Sequence, residues 1–199
     1  MDVSGPDRVI SVRAGLMAGP YDNTDRFTYW PVRVARGGEI LVPVGRTMPV
    51  QLIDVRDVAD WIVEAVALDL RGPFNLVGTP GSITFGDVLD ACKRCSGSDA
   101  VFRWATTEFL ESHDVGMWVE MPLWCPAAPD LKVLRNVQSD LARKSGLQLR
   151  PLAMTTADCL REYALRPPAR LLRAGMTAER EAVLLSQLAQ IKRFAGTNP

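Results

Sequence analysis

Apolar positions along the chain follow two rhythms, short β-branched runs and stripes at helical spacing, and their order sketches the architecture. Val9, Ile10 and Val12 form a short run that a turn closes at Gly19-Pro20, which predicts a buried strand and its exit. Ala14, Gly15, Ala18 and Gly19 leave little side-chain bulk beyond that strand, so the backbone there could approach a flat ligand. An ordinary strand exit that uses glycine for its turn accounts for the same residues equally well.

Pro31 suits the first turn of a helix that Val32, Val34 and Ala35 carry to Gly37-Gly38. Glu39 to Val44 reads as a strand, Gly45 to Pro49 as a turn, and Val50 to Ile53 as a strand running into Asp54. Asp54 is a helix N-cap, with Asp57 three residues on. Behind it Val55, Val58, Ala59, Ile62, Ala65 and Val66 recur at helical spacing, opposite Asp60 and Glu64. Phe74 to Val77 returns as a strand. Thr84 with Asp87 then opens a second helix, whose stripe of Phe85, Val88, Leu89 and Cys92 runs to Gly97.

Further on, Val101 to Trp104 predicts a strand, and Thr107 caps a helix through His113. Met117 to Pro129 is irregular, Gln138 to Lys144 helical, and Thr156 opens a helix through Tyr163. Pro167-Pro168 reads as a linker. Thr177 to Phe194 reads as an amphipathic helix with Val183, Leu184, Leu188 and Ile191 on one side. Strands alternating with helices indicate an α/β protein. No glycine-rich strand-turn-helix fingerprint for a pyrophosphate occurs.

Composition narrows the function classes. A chain of 199 residues, 47% hydrophobic, suffices for one domain with a real core. With 23 basic and 23 acidic side chains it carries no net charge, which argues against nucleic acid or an anionic membrane as partner. The amino terminus has no leader pattern and no window approaches a membrane span, so a cytoplasmic protein is expected. Cys92, Cys95, Cys125 and Cys159 suggest free buried thiols rather than a disulfide framework.

Cys92 and Cys95 have CxxC spacing but fall near a helix end, where no helix dipole lowers a thiol pKa. His113, the only histidine, lacks a second ligand pair for zinc and is explained by a polar helix end. Capping accounts for Asp54 and Asp57, and no Gly-x-Ser-x-Gly elbow is present.

Three ordered segments together resemble the carboxyl-terminal half of the extended short-chain dehydrogenase/reductases, the NAD-dependent epimerase/dehydratase family. They are Val12 to Tyr21 (VRAGLMAGPY), Val50 to Ala59 (VQLIDVRDVA), and Phe74 to Gly78 followed by Ser82 to Leu89. The resemblance spans Val9 to Leu165. It implies a partial Rossmann-like fold, the last strands of a parallel sheet, with a small α+β substrate-binding subdomain over residues 1–166. Residues 167–199 would be a linker and terminal helix.

The resemblance also implies that Ala14, Gly15, Leu16 and Met17 neighbour the nicotinamide end of NAD or NADP, and that Tyr21, Arg26, Trp30 and Gln51 line a substrate pocket. A solvated surface position explains Arg26 as well, and core or interface packing explains Tyr21 and Trp30.

Two family features are missing: the dinucleotide fingerprint and the catalytic Tyr-x-x-x-Lys. Tyr29 is followed four residues later by Arg33, which cannot give up its proton as Lys does, so no catalytic residue is assigned. The chain is expected to be a partial NAD(P)-dependent oxidoreductase or epimerase, acting on a small alcohol, carbonyl or sugar-like substrate when an amino-terminal-half partner chain supplies the cofactor site. The alternative is a noncatalytic binding module that keeps the pocket and binds no cofactor alone. Open edges on the strands at Val9 to Val12 and Phe74 to Val77 predict self-association, for example as a homo-oligomer, or poor solubility.

Overall fold

The structure is a computed structural model that describes residues 9–43, 45–125, 136–167 and 170–196. Expectations for Val44, for residues 126–129 and for Pro168 lie outside them. Among the described residues six strands form three parallel pairs. β1 (Ile10–Ala14) pairs with β5 (Gly72–Leu76), β2 (Leu16–Ala18) with β4 (Leu52–Asp54), and β3 (Glu39–Pro43) with β6 (Val101–Ala105). The parallel α/β class expected from the sequence is what the chain adopts.

β1 and β2 are one extended run divided at Gly15, where the run exchanges β5 for β4. The exchange demands bare backbone. A Cβ on Gly15 would stand 2.7 Å from Cγ1 of Val77, and one on Gly78 only 2.2 Å from the Leu52 carbonyl oxygen.

The sheet formed by β1 and β5 has two unlike faces. Ile10 and Val12 pack with Phe74 and Leu76 against Val58, Trp61 and Ala65 of α2 (Val55–Ala67), while Ser11 and Arg13 are exposed on the other side. The stripe read for α2 is therefore corrected. Ala59, Ile62 and Val66 turn to solvent, and Trp61, left off that stripe, is the buried centre. Trp61 sits tilted on Phe74 and donates from Nε1 to Ser145 Oγ. The layer under α2 is only two strands and the segment near residue 145 wide, so it covers one flank of the helix.

The larger core surrounds α1 (Tyr29–Ala35), α3 (Phe85–Ser96) and β3. α3 opens with the capping box read from Thr84 and Asp87. Other boundaries move. α4 (Thr107–Ser112) is capped by Thr106, whose hydroxyl accepts from the Phe109 amide, so Thr107 is already the first helical residue. α5 is Asp140–Lys144. α6 (Leu152–Ala164) starts four residues ahead of Thr156, because Pro151 with its fixed φ sits at its N-cap.

α7 (Ala178–Gly196) packs on β3 through Leu184 and Leu188, while Val183 and Ile191 of the expected face are exposed. Its anchor is polar: buried Glu181 accepts from the Leu41 amide at 3.0 Å and pairs with Arg33 Nε at 2.6 Å.

Candidate functional site

The carboxyl ends of β1 and β5 and the amino ends of β2 and β4 meet where the extended run changes partner, and a cleft of about 360 Å3 opens there. Open α/β sheets bind ligands in crevices beyond the carboxyl ends of their strands, and β1 and β5 end at this cleft. Ala14, Gly15 and Leu16 form one side, Asn75 and Val77 another, and Val50, Trp118 and Leu123 supply apolar walls. A second groove of about 460 Å3 shares Gly15 and Leu16 and continues over Met17, Tyr21, Asp22, Thr24 and Arg26.

Of the residues singled out in the sequence, Ala14, Gly15, Leu16 and Gln51 thus line the first cleft, and Met17, Tyr21 and Arg26 the second groove. Trp30 lines neither. It is fully buried, edge-on to Tyr29 and Phe85, with Nε1 donating to the Pro122 carbonyl at 2.8 Å. Core packing, one of the two readings open at Trp30, describes its place.

Gln51 borders the cleft with its amide fully engaged. Nε2 donates to the carbonyls of Gly78 and Val137, and Oε1 accepts from the Val137 amide. It clamps residue 137 to the switch point and has little left to offer a ligand. Tyr21 takes a left-handed φ of 65° after Pro20 and is 84% exposed. Arg26 lies 6.0 Å over the Trp118 ring, placing Trp118 between the two grooves.

The groove loop has an organiser that the sequence reading passed over. The Asp22 carboxylate accepts from the amides of Thr24, Asp25, Phe27 and Thr28 and from the hydroxyls of Thr24 and Thr28. Asp25, fully buried with φ 55°, holds the loop to the rest of the chain through Arg166 and the Arg173 amide. The sequence signal was Asp-Asn-Thr-Asp itself, an Asx-turn composition ahead of a helix.

At the far end of β4, Asp54 caps α2 by accepting from the Arg56 amide. It also takes the Arg56 guanidinium and the Thr155 hydroxyl. Burial opposes its ionisation, but these hydrogen bonds outweigh burial and hold its pKa below the usual carboxylate range. Asp57 is not a second cap: it accepts from the Arg150 amide and pairs with Arg150 Nε at 2.8 Å. Burial raises its pKa, only partly countered by Arg150. These carboxylates tie residues 150–158 to the sheet.

Tyr29, four residues before Arg33, is buried, and burial pushes its phenol well above the ordinary value, so it has neither access nor acidity for proton transfer in the cleft. Cys92 and Cys159 are buried thiols raised by desolvation, Cys159 to about 12, whereas Cys95 is exposed, against the expectation that all four would be buried. No group of three or more potential metal ligands occurs among the described residues. No helix among them is long and apolar enough to cross a membrane.

No protein-family model matches the chain, and no curated protein matches it. Solved structures do. A UDP-glucose 4-epimerase of Thermus thermophilus, in complex with NAD, is similar at 16% identity with a TM-score of 0.52, over 79% of this chain and 47% of that one. RMD from Pseudomonas aeruginosa, complexed with NADPH, is similar at 11% identity with a TM-score of 0.55, over 80% and 49%. A dTDP-4-dehydrorhamnose reductase of Bacillus anthracis, in complex with NADP, gives 17% and 0.52, over 77% and 48%. The chain thus has the fold of these epimerases and reductases over about half of their length.

Proposed function

We propose that the chain is the substrate-side portion of a nicotinamide-dependent oxidoreductase or epimerase. It would act on a small alcohol, carbonyl or sugar-like substrate in the cytoplasm, together with a cofactor-binding portion that these residues do not contain. The observation that supports this most is the parallel switch point itself. Gly15 and Gly78 allow two strand pairs to diverge around one cleft, and Ala14, Gly15 and Leu16 form its floor beside Val77. In this reading Ala14 to Met17 meet the nicotinamide end of NAD or NADP, and Tyr21, Arg26 and Gln51 border the substrate, with Trp30 supporting the groove loop from the core. The chain's own residues shape the cleft and give it apolar walls. Among the described residues that line the cleft none is placed to move the substrate proton, and that group would come from the complementary portion.

A noncatalytic binding module is the second reading, favoured by the polar outer face of β1. A sheet covered on both faces reads as continuously apolar, whereas Ser11 and Arg13 are exposed here. Calorimetric titration with NAD(H) and NADP(H) separates the two. Saturable binding supports the enzyme portion, and a folded chain that binds neither the dinucleotides nor nicotinamide mononucleotide, the end these residues would meet, supports the module.

A further inference from the structure

We propose that residues 173–175, together with Arg180, are positioning residues that brace the wall between the two grooves. That wall is the contact of two loops: Arg26, which lines the second groove, lies 6.0 Å over the ring of Trp118, which lines the first cleft. Each loop carries a non-glycine residue in the left-handed region at the wall itself, Asp25 at φ 55° next to Arg26, and Trp118 at φ 64°. A bulky tryptophan rarely takes that conformation, and it persists only where surrounding contacts impose it. One cation–π contact to an exposed arginine is too weak to impose it on both loops.

The imposing contacts come from one short segment that lines neither groove. The Arg173 amide donates to the Asp25 carboxylate at 3.0 Å, and its guanidinium donates to the Asn23 carbonyl. Two residues on, the Gly175 amide donates to the Val119 carbonyl at 2.6 Å. Asp25 and Val119 each adjoin a wall residue, so three consecutive residues span both loops. The segment lies so close to α1 that a Cβ on Gly175 would stand 1.9 Å from Cδ2 of Tyr29. Each loop has a further tie on its own side. Arg166 pairs with Asp25, while Arg180 pairs with Glu120 and donates to the His113 carbonyl, and Glu120 in turn accepts from the Gly116 amide. The two loops are thus one mechanical unit, and loosening either frees the other.

This goes beyond the proposed function and holds whichever ligand the cleft takes. Asp25→Asn and Arg180→Gln test it in the full chain, read by residue-resolved amide hydrogen exchange and by the Trp118 indole signal in NMR. Asn tolerates the left-handed region but removes the charge that Arg166 and the Arg173 amide meet, and Arg180→Gln removes the guanidinium from Glu120. Neither side chain is hydrogen-bonded to the opposite loop among the described residues. Each variant should nevertheless speed exchange roughly tenfold or more in both loops, 22–28 and 113–121, and move the Trp118 indole signal. The amides of α3 should keep the parent's protection, and Arg180→Lys, which retains the charge, should recover part of the loss. Because Arg180 is partly exposed, Arg180→Gln decides the matter through the amides of Asn23, Thr24 and Arg26 even if Asp25→Asn does not fold. Faster exchange confined to the mutated loop, an equal rise everywhere with α3 included, or no change in either loop would overturn the proposal.

Discussion

Gly78 lies so close to Leu52 that a Cβ added to it would stand 2.2 Å from the Leu52 carbonyl oxygen. The contact is backbone against backbone, and no side chain can move aside to relieve it. Gly78→Ala should therefore cost about 1–3 kcal/mol and distort the cleft. Gly116→Ala, whose Cβ would meet only ordinary contacts with Glu120, should stay within about 0.5 kcal/mol of the parent. Urea denaturation of the two variants checks the difference.

Glu181 joins the terminal helix to β3 by accepting from the Leu41 amide while paired with Arg33. Glu181→Gln leaves the mostly buried Arg33 guanidinium short of its charge partner, which should cost about 3 kcal/mol. Arg33 keeps the carbonyls of Gly37 and Glu39, so the loss should fall short of unfolding. Thermal and denaturant melts measure it, and an unchanged stability would show that α7 is not held by this pair.

The carboxylates of Asp54, Asp87 and Asp158 are held below their ordinary pKa. At Asp54, hydrogen bonds from Arg56 and Thr155 outweigh burial; at Asp87 the Thr84 hydroxyl and at Asp158 the Arg56 guanidinium are the main cause. The unfolded chain, with Asp at about 3.9, takes up protons first as pH falls. Their stabilisation is thus complete above about pH 5 and is lost as pH drops through the folded values. Asp57, raised by burial, works in the opposite sense. Stability from denaturant melts should decline below about pH 5, and Asp54→Asn should flatten that slope while lowering stability at neutral pH.

Val9, Ile62, Val63, Val66 and Leu68 are exposed on or near the β1–β5 unit, and β1 has a partner on one edge only among the described residues. Concentration-dependent self-association is expected in sedimentation. Ile62→Lys combined with Val66→Glu should reduce it with less than about 0.5 kcal/mol change in stability. Association unaffected by the pair would place the contact elsewhere.

Local signals in the sequence located what they physically encode. The Asp54 cap, the Thr84–Asp87 capping box and the Gly19-Pro20 turn are interactions among near neighbours, and each appears where its residues stand. Partner choice is different in kind. That the run through Gly15 leaves β5 for β4, that Gln51 is spent on residue 137, and that Trp30 faces Pro122 rather than a groove depend on residues dozens of positions away. Likewise the stripes of α2 and α7 were apolar over more of their circumference than the neighbouring layers cover, so periodicity alone chose Ile62 and Val183 over the burial that packing imposes.

The most direct test of the switch-point cleft as a nicotinamide-ligand site is a residue-resolved NMR titration of the chain with NADH and NADPH. The account expects saturable shifts concentrated at Ala14, Gly15, Leu16 and Met17 and across the cleft at Val77 and Gly78. Shifts confined to other regions, or none with either nucleotide, would contradict it.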